Sequence, residues 1–274
     1  MIDTLLANLW FLPLLFLGGF TGGLLAGLLG IGGGVVMVPL LIQLFAMMGV
    51  EESLRVHLAV GTSMATIIPT GTMSALSHYK RGAVDMAILR RWLPWILLGV
   101  AIGTFIGGRV SSDTLSAVFG FGILLIALNM LLRRDGYSAG DSLPGFPLGA
   151  IAPTGIGTFS AMIGIGGGML SVPFMTAFGV AVRYAVATAA AIGPVIAVPG
   201  TIGWVMSGWG QPGLPFGSVG YVHPLAFACV IPMSMTAAPL GSKIAHTIPP
   251  VVLRTVFVGF LLFVAGERIL AVML

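Results

Sequence analysis

The chain is a succession of long apolar segments separated by short polar stretches. Roughly ten such segments fit within the 274 residues, and most approach the ~20 residues that a helix needs to cross a bilayer. Only 7% of the residues are charged and the mean hydropathy is +1.09, whereas a soluble domain carries about 25% charged residues. Because lipid offers no partners to unpaired backbone groups, these segments are expected to be helices. The sequence therefore predicts an all-α, multi-pass membrane protein.

The segments fall into two sets of five on either side of a polar stretch near residue 140. The first set covers residues 9–29, 34–48, 57–77, 92–108 and 115–132. The second covers residues 147–163, 168–180, 184–206, 222–242 and 251–271. We divide the chain into a first membrane repeat at 1–136, a linker at 137–146 and a second membrane repeat at 147–274. The first apolar run is expected to be a retained helix, because no basic region precedes it.

Matching motifs indicate that the two sets arose by duplication. Gly-Ile-Gly-Gly-Gly at residues 30–34 is followed by Val38-Pro39, and both elements recur 134 residues later, at 164–168 and 172–173. Gly-Gly-Arg-Val at 107–110 corresponds to Gly-Ser-Lys-Ile at 241–244 with the same offset. Self-similarity at one fixed offset is the signature of a repeated structural unit.

Loop charge predicts that the two repeats have opposite orientations in the membrane. The stretch 78–92 is basic, whereas its counterpart at 207–221 contains no charged residue. Basic loops stay in the cytoplasm, so the first stretch and the linker are expected inside and the second outside. We accordingly expect two inverted-topology repeats in the plasma (inner) membrane. Many secondary transporters have this plan and bind substrate where the repeats meet.

The glycine motifs precede segments that are short for crossing the membrane, which predicts broken or re-entrant helices. A dinucleotide-binding fingerprint is excluded because Val35 and Met169 replace its third glycine. One interpretation is that the glycines only allow close helix packing. In the other, unwound backbone amides and the positive end of the next helix bind an anion. The second interpretation assigns the substrate to Gly32, Gly33, Gly34, Gly166, Gly167 and Gly168.

Small hydroxyl residues add candidate ligands in the third segment of each half. Thr62 and Ser63 lie in the first half, and Thr188 occupies the matching place in the second. Their hydroxyl groups could donate hydrogen bonds to a substrate oxygen or bond back to the helix backbone. Both alternatives stay open on the sequence alone.

Other classes of function lack the residues they need. The single Cys229 cannot form an intrachain disulfide, and the histidines have no metal-ligand spacing. The acidic residues can be placed in loops or near a chain end, which leaves no convincing carboxylate within the membrane for cation transport. We expect no catalytic residues, metal or cofactor, and therefore no enzyme. The expected partners are a small anion and the lipid bilayer, not nucleic acid; the oligomeric state stays open.

At these motifs the chain resembles the TauE/SafE family of sulfite exporters, a group of membrane permeases. The resemblance is carried by Gly27–Gly34 with Val38-Pro39, by Ala59–Ser63, and by Ser160–Gly168 with Val172-Pro173. It covers nearly the whole chain, because both halves contain the pattern. It implies transport of small sulfur-containing anions such as sulfite or organosulfonates.

Membrane energetics favour export of such an anion. Moving one negative charge out of a cell at an interior-negative potential of 100 mV is favourable by about 2.3 kcal/mol. The sequence thus predicts an exporter that binds its anion at mid-membrane between two glycine-rich helix breaks. The alternatives are an anion channel of the same fold and a transporter of small carboxylates.

Overall fold

A computed structural model describes residues 11–29, 34–132, 140–245 and 247–273, and these residues form an all-helical fold. Within them, the β-structure is one isolated bridge between Val219 and Val222. The helices of the first half are α1 (Phe11–Leu29), α2 (Gly34–Met47), α3 (Glu52–Lys80), α4 (Met86–Gly107) and α5 (Ser112–Leu132). Those of the second half are α6 (Leu148–Ile163), α7 (Gly168–Ala177), α8 (Val182–Ser207), α9 (Pro224–Ala245) and α10 (Pro250–Met273).

The lengths and composition of these helices match a membrane protein. Four of the described helices are long and apolar enough to cross a bilayer, namely α4, α5, α8 and, over Pro224–Gly241, α9. Shorter apolar helices are formed by Leu12–Leu25, α2, α6 and α7. The predicted all-α membrane fold is therefore confirmed. Residues 133–139, which include Arg133, Arg134 and the first part of the predicted linker, lie outside the described residues.

The second helix of each half is too short to cross the hydrocarbon. Helix α2 has 14 residues and α7 has 10, which correspond to about 21 Å and 15 Å at 1.5 Å per residue. Helix α6 ends at Ile163 and α7 begins at Gly168, so the helix is interrupted at the second glycine motif. In the first half α1 ends at Leu29 and α2 begins at Gly34; the glycines between them lie outside the described residues.

Helix packing connects each half to the other in a reciprocal way. Helix α1 packs along α9, and α4 packs along α6, so the first helix of each half contacts the fourth helix of the other. Glycines permit both contacts. A Cβ at Gly23 would overlap the backbone of Ser234, and a Cβ at Gly99 would overlap the carbonyl of Thr154. Small residues at such crossings let membrane helices approach closely.

The third helices, α3 and α8, cross at the centre of the molecule. Gly61 of α3 lies against Trp204 near the end of α8, whereas Gly71 of α3 lies against Pro194 earlier in α8. The two helices are therefore antiparallel. Trp204 is fully buried, and its indole N–H donates to the Ala161 carbonyl at 3.0 Å. This contact ties the α3–α8 crossing to the end of α6, next to the second helix break.

Candidate functional site

The second glycine motif forms a turn between α6 and α7. Gly164 and Gly167 both have φ of 73°, a left-handed conformation that costs other residues about 1–2 kcal/mol. The amides of Gly164 and Ile165 both donate to the carbonyl of Ser160. The amide of Gly167 donates to the Ile165 carbonyl at 2.9 Å. The break is thus an ordered turn that glycine makes possible.

Three backbone amides in this turn, those of Gly166, Gly168 and Met169, donate no hydrogen bond within the described part of the chain. The last two begin α7, where the helix dipole adds partial positive charge. Gly166 and Gly168 are only half-buried. The turn therefore offers donors for a negatively charged ligand.

Two serine hydroxyl groups close to the turn also lack partners. Ser160 is 1% exposed and Ser171 is fully buried, and neither Oγ atom has a hydrogen-bond partner among the described residues. The Oγ of Ser160 lies 3.7 Å from the position that a Cβ of Gly167 would occupy. A buried unpaired polar group costs about 1–3 kcal/mol, so these hydroxyl groups destabilise the empty protein.

Sequence reasoning did not single out Ser160 and Ser171 as site residues. Ser160 lies one helical turn before Gly164, and Ser171 lies one turn after Gly167. Residues spaced by four share one helix face. This spacing on both sides of the glycine motif was the signal that could have identified them.

The walls of the site come from the α3–α8 crossing. A Cβ at Gly166 would lie 3.2 Å from Cγ2 of Ile67 in α3, and a Cβ at Gly193 in α8 would lie 3.5 Å from the Gly166 carbonyl oxygen. A Cβ at Gly167 would overlap Ile196 of α8. The walls are therefore apolar, and in such a low-dielectric environment each hydrogen bond to an anion is strengthened.

The start of α2 reaches the second break. A Cβ at Gly34 would overlap the Gly164 carbonyl and lie 3.0 Å from Cα of Ile165. The two glycine motifs therefore meet at Gly34, one of the predicted site residues. Gly32 and Gly33, also predicted, lie outside the described residues.

The predicted hydroxyl residues have two different environments. Ser63 donates a hydrogen bond from its Oγ to the Gly164 carbonyl at 2.9 Å, so it joins α3 to the second break. The Oγ1 of Thr62 instead accepts from the amide of His223 at 3.0 Å. The Oγ1 of Thr188 accepts from the amide of Asp85 at 2.9 Å. The structure thus places Ser63 at the break, and Thr62 and Thr188 at the residues that precede α9 and α4.

Four further threonines of α3 and α8 bond to their own helix. Their hydroxyl groups donate to carbonyl groups three or four residues earlier, which is the back-bonding alternative considered above. The residues are Thr66, Thr70, Thr72 and Thr201.

Asp85 and His223 have equivalent roles at the starts of α4 and α9. The Asp85 carboxylate accepts hydrogen bonds from the amides of Ala87 and Ile88, and Nδ1 of His223 accepts from the Ala226 amide at 3.0 Å. Each side chain caps a helix while its own amide is held by a threonine of the other half. Burial in the loop before α9 lowers the pKa of His223 to about 4, so the imidazole is neutral and can accept.

A polar pair lies inside α10. Glu267 forms an ion pair with the adjacent Arg268 and accepts a hydrogen bond at 2.6 Å from the side-chain amide of Gln43 in α2. The sequence placed Glu267 only as near the chain end. The structure shows that its carboxylate also connects α10 to the first broken pair of helices.

The family and the relatives of the chain agree with this architecture. The family model described as sulfite exporter TauE/SafE matches residues 15–267. A probable membrane transporter protein of Haemophilus influenzae is 36% identical over 93% of this chain and 97% of its own length. One of Methanocaldococcus jannaschii is 30% identical over 89% of this chain and 90% of its own length. No solved structure matches.

The family match extends over both glycine motifs and both α3–α8 partners. The relatives are matched along nearly their full lengths, so the likeness concerns the whole transporter and not one segment. The chain is therefore an integral membrane transporter that belongs to the sulfite exporter TauE/SafE family.

Proposed function

We propose that the chain exports small sulfur-containing anions such as sulfite or organosulfonates across the plasma membrane. The observation that carries the proposal is the set of unpaired donors at the second break. These donors are the amides of Gly166, Gly168 and Met169 and the hydroxyl groups of Ser160 and Ser171. The family description supplies the sulfur chemistry.

This donor set suits an oxyanion. Sulfite and sulfonate groups carry three oxygen atoms that only accept hydrogen bonds from the protein, and the site supplies N–H and O–H donors. No charged side chain takes part, so binding rests on dipoles and hydrogen bonds, as at other helix N-termini. Such a site replaces the hydrogen bonds that the anion loses with its water, without the strong attraction of a buried cation. The anion can therefore leave again, as transport requires.

Alternating access between two inverted repeats is the mechanism that we assign to this site. Two reciprocal patterns support it: α1 packs on α9 as α4 packs on α6, and Thr62 holds the start of α9 as Thr188 holds the start of α4. Ser63 and Gly34 of the first half contact the break in the second half. A rocking of one half against the other would then open the site to each side in turn.

The direction of transport follows from the membrane potential. An anion that carries one charge gains about 2.3 kcal/mol per 100 mV on leaving a cell. Export through this site needs no coupled ion, because the potential alone drives it.

A thermal-shift screen in detergent tests the substrate class. The anions are sulfite, sulfate, thiosulfate, methanesulfonate, acetate and chloride, each with the same counterion. A ligand at 100 times its Kd adds about 2.7 kcal/mol to the free energy of unfolding. We expect sulfite and methanesulfonate to raise the unfolding midpoint, with no rise in a Gly167→Ala variant.

The screen separates the alternatives. A rise with acetate alone would replace sulfur anions by carboxylates as the substrate. No rise with any anion would refute binding at the break, whereas the family and the helical membrane fold would stand. Counterflow of labelled methanesulfonate into proteoliposomes then distinguishes bound substrate from bound inhibitor.

A further inference from the structure

A basic feature lies away from the glycine break, where the end of α3 meets the start of α8. It is a cavity of about 430 Å³. The lining residues are His78, Arg81, Ala83, Val182, Arg183 and Val186. Three of them are basic or can become so, and none is acidic.

The two arginines have no acidic partner. Within the described residues, the side chains of Arg81 and Arg183 form no ion pair and no hydrogen bond, and both are exposed. The acidic residue closest in sequence, Asp85, uses its carboxylate to cap α4. The two guanidinium groups are therefore not neutralised by an ion pair within the described part of the chain.

The position of Arg183 is unfavourable for its own helix. It is the second residue of α8, where the helix dipole is positive and disfavours a cation. Its guanidinium lies 6.0 Å from the Tyr184 ring centroid, a contact worth only ~0.5–1 kcal/mol at an exposed site. Helix stability thus does not account for an arginine here. A bound anion in the cavity would offset this unfavourable position.

The cavity and the glycine break both lie along the contact between α3 and α8, which we call the α3–α8 seam. From His78 back to Ile67, which contacts Gly166, α3 runs for about 16 Å at 1.5 Å per residue. Along this path a Cβ at Gly71 would lie 3.3 Å from Pro194 of α8. Gly166 is half-buried. The α3–α8 seam thus runs past both the basic cavity and the donors of the break.

We propose that this cavity is an anion-collecting vestibule on the cytoplasmic face, which concentrates sulfite or sulfonate before it moves along the seam to the break. The inference rests on the proposed function and adds a second binding station to it. Lys80 ends α3 and Arg90 lies near the start of α4, and neither lines this cavity. If basic residues here served only to set membrane topology, Lys80 and Arg90 would be equivalent to Arg81 and Arg183.

The test compares two charge-matched double variants in proteoliposomes of known orientation. Arg81→Gln with Arg183→Gln removes two positive charges from the cavity, and Lys80→Gln with Arg90→Gln removes two from the same face outside it. Initial rates are measured with sulfite and methanesulfonate presented to this face, at low and at physiological ionic strength.

Loss of local attraction should raise KM in the cavity variant about 10-fold, at the lower end of the 10- to 1,000-fold range of electrostatic focusing. Maximal rate should change less than twofold, because the break is untouched. The control should keep the wild-type KM, and high salt should shrink the difference. Equal KM values in both variants and the wild type would overturn the vestibule alone. A wild-type protein that transports neither anion would overturn the proposed function, and the vestibule with it.

Discussion

Helices α2 and α7 begin at equivalent glycines of the two halves, Gly34 and Gly168, but their surroundings differ. The start of α7 lies beside two unpaired buried hydroxyl groups, those of Ser160 and Ser171. The residues that correspond to these serines in the first half, 134 positions earlier, are Ala26 and Met37. The start of α2 instead packs tightly against the second break.

The comparison extends to α3 and α8. Ser63 of α3 bonds the second break, whereas its counterpart in α8 is Ala189, which has no hydroxyl group. The threonines beside them, Thr62 and Thr188, behave alike, since each accepts from the amide before a helix of the other half. Both halves thus contain the same order of helices, whereas the serines beside the second break, Ser63, Ser160 and Ser171, have counterparts that lack a hydroxyl group.

The largest expected effect is loss of transport when the second break is filled. Gly167→Ala adds a Cβ at a φ of 73° that would overlap Ile196, and misplaced donors can cost roughly 100-fold in rate. Counterflow rates measure this, and size-exclusion elution checks folding. Gly155→Ala is the control, because nothing lies within 4 Å of that position.

The first motif provides the matching test of asymmetry. Gly33→Leu should also impair transport if both motifs contribute to binding, as the sequence predicts. Wild-type transport in Gly33→Leu together with loss in Gly167→Ala would assign the anion to the second break alone. Wild-type transport in both variants would exclude the glycine motifs as the site.

The serine pair should show opposite effects on transport and on stability. Ser160→Ala with Ser171→Ala removes two donors, and because hydrogen bonds to charged groups contribute about 1.5–3 kcal/mol, anion affinity should fall at least about tenfold. The unliganded protein should be as stable as wild type or more so, because two unpaired buried groups are removed. Thermal unfolding with and without sulfite measures both effects.

A paired hydroxyl group supplies the control for that experiment. Ser234 donates from a buried position to the Gly19 carbonyl at 2.9 Å. Ser234→Ala should lower the free energy of unfolding by about 1 kcal/mol and leave sulfite affinity unchanged. If the serine pair behaved like Ser234, Ser160 and Ser171 would have no part in binding.

Replacing Thr62 and Thr188, whose hydroxyl groups each hold a backbone amide of the other half, should lower stability by equal amounts. Thr62→Val and Thr188→Val each leave one backbone amide without its acceptor, those of His223 and Asp85, at a cost of about 1–3 kcal/mol. Unfolding midpoints in detergent should fall by similar amounts, with sulfite affinity retained. A loss of affinity without loss of stability in either variant would return that threonine to the substrate site.

The smallest expected effect is the pH dependence that the His223 cap gives to the stability of the protein. The pKa of His223 is lowered from 6.5 to about 4 by burial, so the unfolded chain binds more protons between these values. The stabilisation is complete above pH 6.5 and decreases as pH falls towards 4. His223→Asn keeps a capping acceptor without this titration, so its unfolding midpoint should change less over this window. An identical pH profile in both proteins would show that His223 contributes nothing to it.

Much of the helical architecture could be predicted from the pattern of apolar segments. Five helices per half, interruption at the glycine motifs and second helices too short to cross all follow from segment length and from glycine and proline placement. These are local properties, because a helix in lipid must satisfy its own backbone. Helix ends were less accurate, as in α3, which begins at Glu52 rather than near residue 57. There the amphipathic first turn hid the boundary.

Which side chains meet was decided by the tertiary structure. Ser63 reaches Gly164 across 101 positions of sequence, and Thr62 reaches His223 across 161. A hydroxyl on an apolar helix looks the same in sequence whether it bonds its own helix, joins two helices or is left unpaired. The sequence by itself determined a helical membrane protein with a glycine motif before the second helix of each half. Only the packing of α3 against α8 determined that the second break is surrounded by donors without partners among the described residues, because pairing depends on neighbours that are distant in the chain.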